Sequence, residues 1–306
     1  MTGLDRAIAR LLPAVPKLIV RRLSSPYIAG PQLDDAVRVV KQLNAEGKLA
    51  TIDVLGEEVG NEAEAGEIAA TYHRVLERIE REGLDANISV KLSGIGLELG
   101  GGLCRRNLEG LVEAAASRGN FVRIDMEDST TTDATLALYR ELRAAGHANL
   151  GVVLQAYLRR TLADADGLAN VRVCKGIYVE PPAIAFQDPD EVRSNYLATL
   201  EALLDQGSYV GVATHDEQLL AGALERIASR GLSPDAVEFQ MLLGVRAPRG
   251  DELVRAGHRL RIYVPFGTHW YEYSVRRLQE NPKIAGYVAA DTMRRLVQRS
   301  PRRRRL

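Results

Sequence analysis

The sequence is short of the features that mark out several classes of protein. It has only two cysteines, Cys104 and Cys174, too few for a disulfide framework, so a reducing compartment fits. Cys174 falls in an apolar run where a small buried thiol packs well. No stretch reaches the roughly eighteen consecutive apolar residues of a membrane span. The opening MTGLDRAIARLLPAVPKLIVRRL is basic throughout and broken by Pro13 and Pro16, so it has no clean signal-peptide core. Net charge is also lacking, with 40 Lys and Arg against 40 Asp and Glu. Long-range attraction to nucleic acid or anionic lipid is therefore not built into the whole molecule. The basic cluster Arg299 and Arg302 to Arg305 reads first as a solvated tail. These absences predict a cytoplasmic protein without a nucleic-acid partner, and leave peripheral membrane contact open.

Motifs are missing too. Gly94, Gly96 and Gly100 to Gly102 miss the dinucleotide-binding spacing and read as a flexible loop. His73, His147, His258 and His269 show no metal-ligand spacing, and His215, Asp216 and Glu217 point in different directions as sequence neighbours, so no metal is expected. There is no GxSxG and no Cys/His nucleophile arrangement. No Pro-, Gly- or Ser-rich stretch divides the chain, which implies one domain.

What is present is enough apolar material for a large core, at 46% hydrophobic residues in a 306-residue chain, and a repeating pattern. Short apolar, β-branched runs alternate with helical periodicity, which predicts parallel strands with helical crossovers. The predicted strands are Leu49 to Leu55, Asn87 to Leu92, Phe121 to Met126, Gly151 to Ala156, Val171 to Lys175, Tyr209 to Thr214, Ala236 to Met241 and Leu260 to Val264. Eight such units close an α/β barrel of the (βα)8 TIM type, which needs about 250 residues. The expected organisation is a helical extension over residues 1–48, a catalytic barrel over 49–290, and a helix end with the Arg-rich tail over 291–306. Gln32 to Leu43 reads as an amphipathic helix after a Pro31 start.

Polar residues fall where the strands end: Asp53, Lys91, Asp125, Gln155, Lys175, Thr214 with His215, Gln240 and Tyr263. In a barrel these ends form the mouth. So many ionisable groups in one place must pair with one another or with a charged ligand, and the ring asks for a polar, anionic ligand. After the last strand, THWYEYSVRRLQE (Thr268 to Glu280) reads as a helix carrying Tyr273, Arg276, Arg277 and Glu280. Each guanidinium offers a planar fork suited to a carboxylate. A solvent-exposed charged face is the commoner fate of such a pair, but its place beside the mouth favours a binding role.

The motifs SVKLS, RIDMED, VVLQAYLRR, VRVCKGIYVE, VATHDE, EFQMLLG and RIYVPFG followed by YSVRRLQEN occur in order along the chain. With them the sequence resembles the monofunctional bacterial proline dehydrogenases from about Leu23 to Pro282. The resemblance implies a distorted barrel with FAD across its C-terminal mouth and a final helix covering the substrate. It implies oxidation of L-proline to 1-pyrroline-5-carboxylate by hydride transfer to the flavin, with electrons passed to a quinone as proline degradation to glutamate begins. Contact with a pyrroline-carboxylate dehydrogenase is a further implied partner. By the same resemblance Arg276 and Arg277 hold the proline carboxylate, Lys91 pairs with Glu280, Tyr273 packs on the pyrrolidine ring and favours proline over a ring-hydroxylated analogue, and Asp125 and Tyr263 complete the reactive pocket. Met126, Gln155, Arg172, Lys175, Gly176, Ile177, Thr214, His215 and Gln240 are implied to surround FAD, with Arg172 near its reactive part. Arg172 and Lys175 have opposite parity on an ideal strand, so both face one ligand only if the strand ends or bends near Cys174. Leu243 stands where some members carry a polar or aromatic residue. Read without the resemblance, the residues also allow a Schiff-base aldolase using Lys175 or Lys91, or a barrel that binds a small carboxylate without reacting.

Overall fold

The computed structural model describes residues 26–56, 59–100, 102–271 and 274. Eight strands form a closed parallel barrel in sequential order: β1 (Leu49–Val54), β2 (Ala86–Val90), β3 (Val122–Ile124), β4 (Leu150–Gln155), β5 (Val171–Cys174), β6 (Val210–Ala213), β7 (Val237–Leu242) and β8 (Leu260–Phe266). Helix α1 (Leu33–Ala45) precedes β1. Between the strands lie α2 (Glu62–Glu82), α3 (Leu103–Ala116), α4 (Thr132–Ala144), the short α5 (Thr161–Asp164), α6 (Pro189–Asp205), α7 (Glu217–Ser229) and α8 (Ala247–Arg255).

The alternation seen in the sequence has the expected physical basis. Along each strand every second side chain turns outward to meet the helices. In β1 these are Ala50, Ile52 and Val54, which belong to the same apolar core as Tyr72, Val75 and Leu76 of α2. Helix starts are fixed by side-chain caps: Asn61 accepts from the Glu64 amide at 3.0 Å, Asp188 from Asp190 at 2.7 Å and Asp216 from Gln218 at 3.1 Å. Pro31 does not open α1. Gln32 is its N-cap, with its amide donating to Asp35 at 3.2 Å, so the proline stands one residue outside.

Two departures from a regular barrel matter for the site. Helix α1 lies against β8 and β1, burying Ala36, Val37, Val40 and Leu43. It thus takes the outer-ring place that the helix after the eighth strand occupies in a regular barrel. The inward faces of the strands are also polar rather than filled with branched apolar side chains. Asp53, Asn87, Ser89, Arg123, Asp125, Arg172, Glu238, Gln240 and Arg261 are all buried, and hydrogen bonds across the interior link Asn87, Ser89, Asp125, Arg172, Glu238, Gln240 and Arg261 to one another.

Candidate active site

The interior polar groups form two tiers. In the lower tier Arg261 donates to Glu238 at 2.7 Å, to Asn87 at 3.0 Å and to the Ala50 carbonyl at 2.8 Å. Arg123, fully buried, donates to the carbonyl and the side-chain oxygen of Asn170 and to the Val152 carbonyl. Both guanidiniums lie over the Phe121 ring, 5.4 and 5.6 Å from its centre. Burial and the neighbouring Arg172 push Arg123 down to about 9, which still leaves it a cation at neutral pH.

The upper tier lines a cavity of about 420 Å³ at the C-terminal ends of the strands, within the roughly 300–1,000 Å³ range of small-ligand pockets. Its centre is Asp125, just beyond β3. One carboxylate oxygen accepts from Arg172 at 2.6 Å and Ser89 at 2.5 Å, and the other accepts from the Tyr263 hydroxyl at 2.6 Å. Burial works to raise its pKa, but Arg172, Lys91, Ser89 and Tyr263 together hold it below the usual carboxylate range. Burial and the Asp125 charge push the Tyr263 phenol well above its usual value. The pair is thus an anion receiving a hydrogen bond from a neutral phenol. Lys91 Nζ lies 3.0 Å from both oxygens of the fully buried Asp53, 3.2 Å from the Tyr263 hydroxyl and 3.7 Å from Asp125. Holding these ions out of water is costly unless each is paired and hydrogen-bonded, and this network supplies both conditions.

All the predicted site residues within the described segments line this one cavity: Lys91, Asp125, Met126, Gln155, Arg172, Lys175, Gly176, Ile177, Thr214, His215, Gln240 and Tyr263. Tyr273, Arg276, Arg277 and Glu280 lie outside the described residues; among the described residues Lys91 pairs with Asp53 and Asp125. The parity conflict between Arg172 and Lys175 is resolved because β5 ends at Cys174. Gln240 and Tyr263 sit within longer strands than predicted, since β7 runs on to Leu242 and β8 to Phe266. Cys174 differs from its expectation: it is only partly buried and faces the cavity, whereas Cys104 is the buried thiol. Leu243 packs against the apolar core while Leu242 lines the cavity.

Several side chains have one end already committed. Gln155 donates to the Glu127 carbonyl at 2.7 Å, leaving its amide oxygen as the end open to a ligand. His215 Nε2 accepts from the Leu242 amide at 3.0 Å, so the neutral ring carries its proton on Nδ1. Asp216 caps α7 and also pairs with Lys175 at 3.2 Å and Arg193 at 3.0 Å. Sequence reasoning overlooked Ser89, Glu238, Arg261 and Arg123. The available signal was a polar residue at every second position of an otherwise apolar strand: Asn87, Ser89 and Lys91; Arg123 and Asp125; Glu238 and Gln240; Arg261 and Tyr263.

A family model described as "Proline dehydrogenase" matches residues 36–180 and 181–290. "Proline dehydrogenase 1" of Bacillus subtilis (strain 168) is 37% identical over 266 residues, covering 86% of this chain and 88% of that protein. "Proline dehydrogenase" of Deinococcus radiodurans is 35% identical over 274 residues, covering 87% and 88%. Among solved structures, proline utilization A from Bdellovibrio bacteriovorus, inactivated by N-propargylglycine, superposes with a TM-score of 0.81 at 23% identity. That match covers 90% of this chain but only 36% of the larger one, and speaks for the fold alone.

Proposed function

The chain belongs to the proline dehydrogenase family, and from that membership and the cavity's chemistry we propose that it oxidises L-proline to 1-pyrroline-5-carboxylate with FAD in the barrel mouth, opening proline degradation to glutamate. The observation that carries the flavin reading is Arg172. Its Nε and Nη1 are fixed by Gln240 and Asp125. Its Nη2 has no hydrogen-bond partner among the described residues, and the side chain lines the cavity. A cation pre-oriented in this way suits a group that gains negative charge during reaction. The wall residues suit such a ligand as well, with the Gln155 carbonyl, the half-exposed Lys175 ammonium and the peptide around Gly176 at the mouth.

Bound there, FAD would supply the two-electron acceptor for the hydride leaving the ring carbon next to nitrogen. The rest is the protein's part. The nitrogen lone pair forms the C=N bond as the hydride departs, so the amine must first be neutral. Lys91 and Arg172 disfavour its protonated form, since like charges raise the cost of a cation nearby. Asp125, kept ionised, fixes Arg172 and Tyr263, so neither has to reorganise. Arg276 and Arg277 are assigned to the substrate carboxylate, Tyr273 to the ring face and Glu280 to Lys91 on the family resemblance. A quinone is the proposed electron acceptor, reached from the cytoplasm by peripheral membrane contact; no described helix is long and apolar enough to cross a membrane. Transfer of product to a pyrroline-carboxylate dehydrogenase and the division at residues 48 and 290 belong to the same proposal.

The Schiff-base alternative is less well served, because Lys91 is held between Asp53 and Tyr263 and Lys175 is paired with Asp216. The deciding experiment is anaerobic addition of L-proline to the purified protein. A yellow protein that bleaches supports the proposal. A colourless protein that borohydride links to a carbonyl substrate would replace it with the aldolase.

A further inference from the structure

We infer that Glu238, from the lower tier, is a positioning residue for Arg172, acting through the amide of Gln240; this rests on the proposed placement of Arg172 beside the flavin. Gln240 is the side chain that joins the tiers: its Oε1 accepts from Arg172 Nε, and its Nε2 donates to Glu238 Oε1 at 2.5 Å. An amide can present either end, and here both neighbours choose the same one. Turned over, its NH2 would face a guanidinium donor and its oxygen a carboxylate, two repulsive contacts in a buried site.

Glu238 can impose this only if it stays ionised and still. Burial works to raise its pKa, but Arg261, Tyr209 and Arg123 hold it below the usual range. It is fully buried and accepts from Arg261 at 2.7 Å and from the Tyr209 hydroxyl at 2.8 Å. The strand register shows how Gln240 reaches its target. Arg172 of β5 pairs with Gly211 of β6, and Gly211 pairs with Glu238 of β7. A Cβ at Gly211 would lie 2.5 Å from Gln240 Nε2. The missing side chain on the middle strand is therefore what lets an amide from β7 cross to a guanidinium on β5.

The test uses the flavin-loaded full chain with two readouts: the rate of anaerobic flavin reduction at saturating proline, and the flavin midpoint potential titrated with dithionite. Glu238→Gln is expected to slow reduction about tenfold, the scale of one charge-assisted hydrogen bond, with little change in KM for proline. It should also lower the potential by the equivalent of about a tenfold change in the oxidised-to-reduced ratio, about 30 mV for a two-electron couple. Gly211→Ala removes no charge but displaces the same amide, and should move both readouts the same way; it carries the test if Glu238→Gln fails to fold. Tyr209→Phe leaves Gln240 and Arg172 in place but withdraws one of the groups that hold Glu238 ionised, and should move both readouts the same way by a smaller amount. In a Gln240→Leu chain, Glu238→Gln should add nothing. Full additivity in that background, or an unchanged potential in Gly211→Ala, overturns the inference. Because the potential is measured without proline, that failure is distinct from failure of proline to bleach the flavin, which overturns the proposed function instead. A chain that takes up no flavin overturns both.

Discussion

Replacing Gly151 by alanine tests whether the lower ionic tier is a rigid support. A Cβ there would lie 2.5 Å from Arg123 Nη1 and 2.5 Å from the Asn170 carbonyl oxygen. One of these is backbone, and the other belongs to a guanidinium with no exposed surface, so neither can yield cheaply. Overpacking a dense interior costs roughly 1–3 kcal/mol, and losing one hydrogen bond from a charged donor costs roughly 1.5–3 kcal/mol. Gly151→Ala should therefore destabilise the fold by about 3–5 kcal/mol, a large part of the roughly 5–15 kcal/mol that a domain commands. Gly66, exposed in the interior of α2 with nothing within 4 Å of its would-be Cβ, provides the opposite case. The same substitution there should stabilise by about 0.5–1 kcal/mol through helix propensity. Urea unfolding of both variants beside the parent, read by far-UV circular dichroism, gives the comparison. Stabilities for the two variants within 1 kcal/mol of each other would refute the account of a tightly filled lower tier.

The ionised state of Asp125 sets a pH dependence. Its folded-state pKa is lowered, so its stabilising contribution is present above the unfolded value of about 3.9 and fades as pH falls through the lower folded value. Asp125→Asn should flatten the loss of stability below about pH 4, and equal acid slopes for variant and parent would count against the network. Cys174 faces the cavity, while the thiol of Cys104 is pushed up to about 12 by burial. Maleimide should therefore label Cys174 first in flavin-free protein, and bound FAD should protect it; mass spectrometry locates the adduct, and labelling at Cys104 alone would contradict this placement. Arg277→Met should raise the proline concentration needed for half-saturation at least tenfold, by loss of a bidentate charge contact, with flavin retained. Unchanged saturation would remove Arg277 from the substrate clamp.

The parts legible in the sequence were those set by local chemistry. Apolar β-branched runs such as Gly151 to Ala156 and Val171 to Lys175 marked the strands, because a strand enclosed by helices must be apolar on its outer face. Lys91, Asp125 and Arg172 could be named because they fall at strand ends or in family motifs. Partner choice was not legible, since Asp53 meets Lys91 and Arg172 meets Gln240 across strands far apart in sequence. Arg123, Glu238 and Arg261 are ordinary charged residues until the barrel closes around them. Cys174 was misjudged because an apolar neighbourhood in sequence says nothing about which side of the strand a residue faces.

The position of α1 also bears on how the protein is made. This helix is the first described element to be synthesised, and one of its two strand partners, β8, is the last strand to emerge. At about 5–20 residues per second, the helix waits on the order of 10–45 s with one side of its apolar face uncovered. Half-built chains therefore carry an unsheltered ridge of Ala36, Val37, Val40 and Leu43, and closure is a single long-range event that waits for β8. That order makes nascent chains stalled within β7 or β8 the species most exposed to chaperones and to self-association.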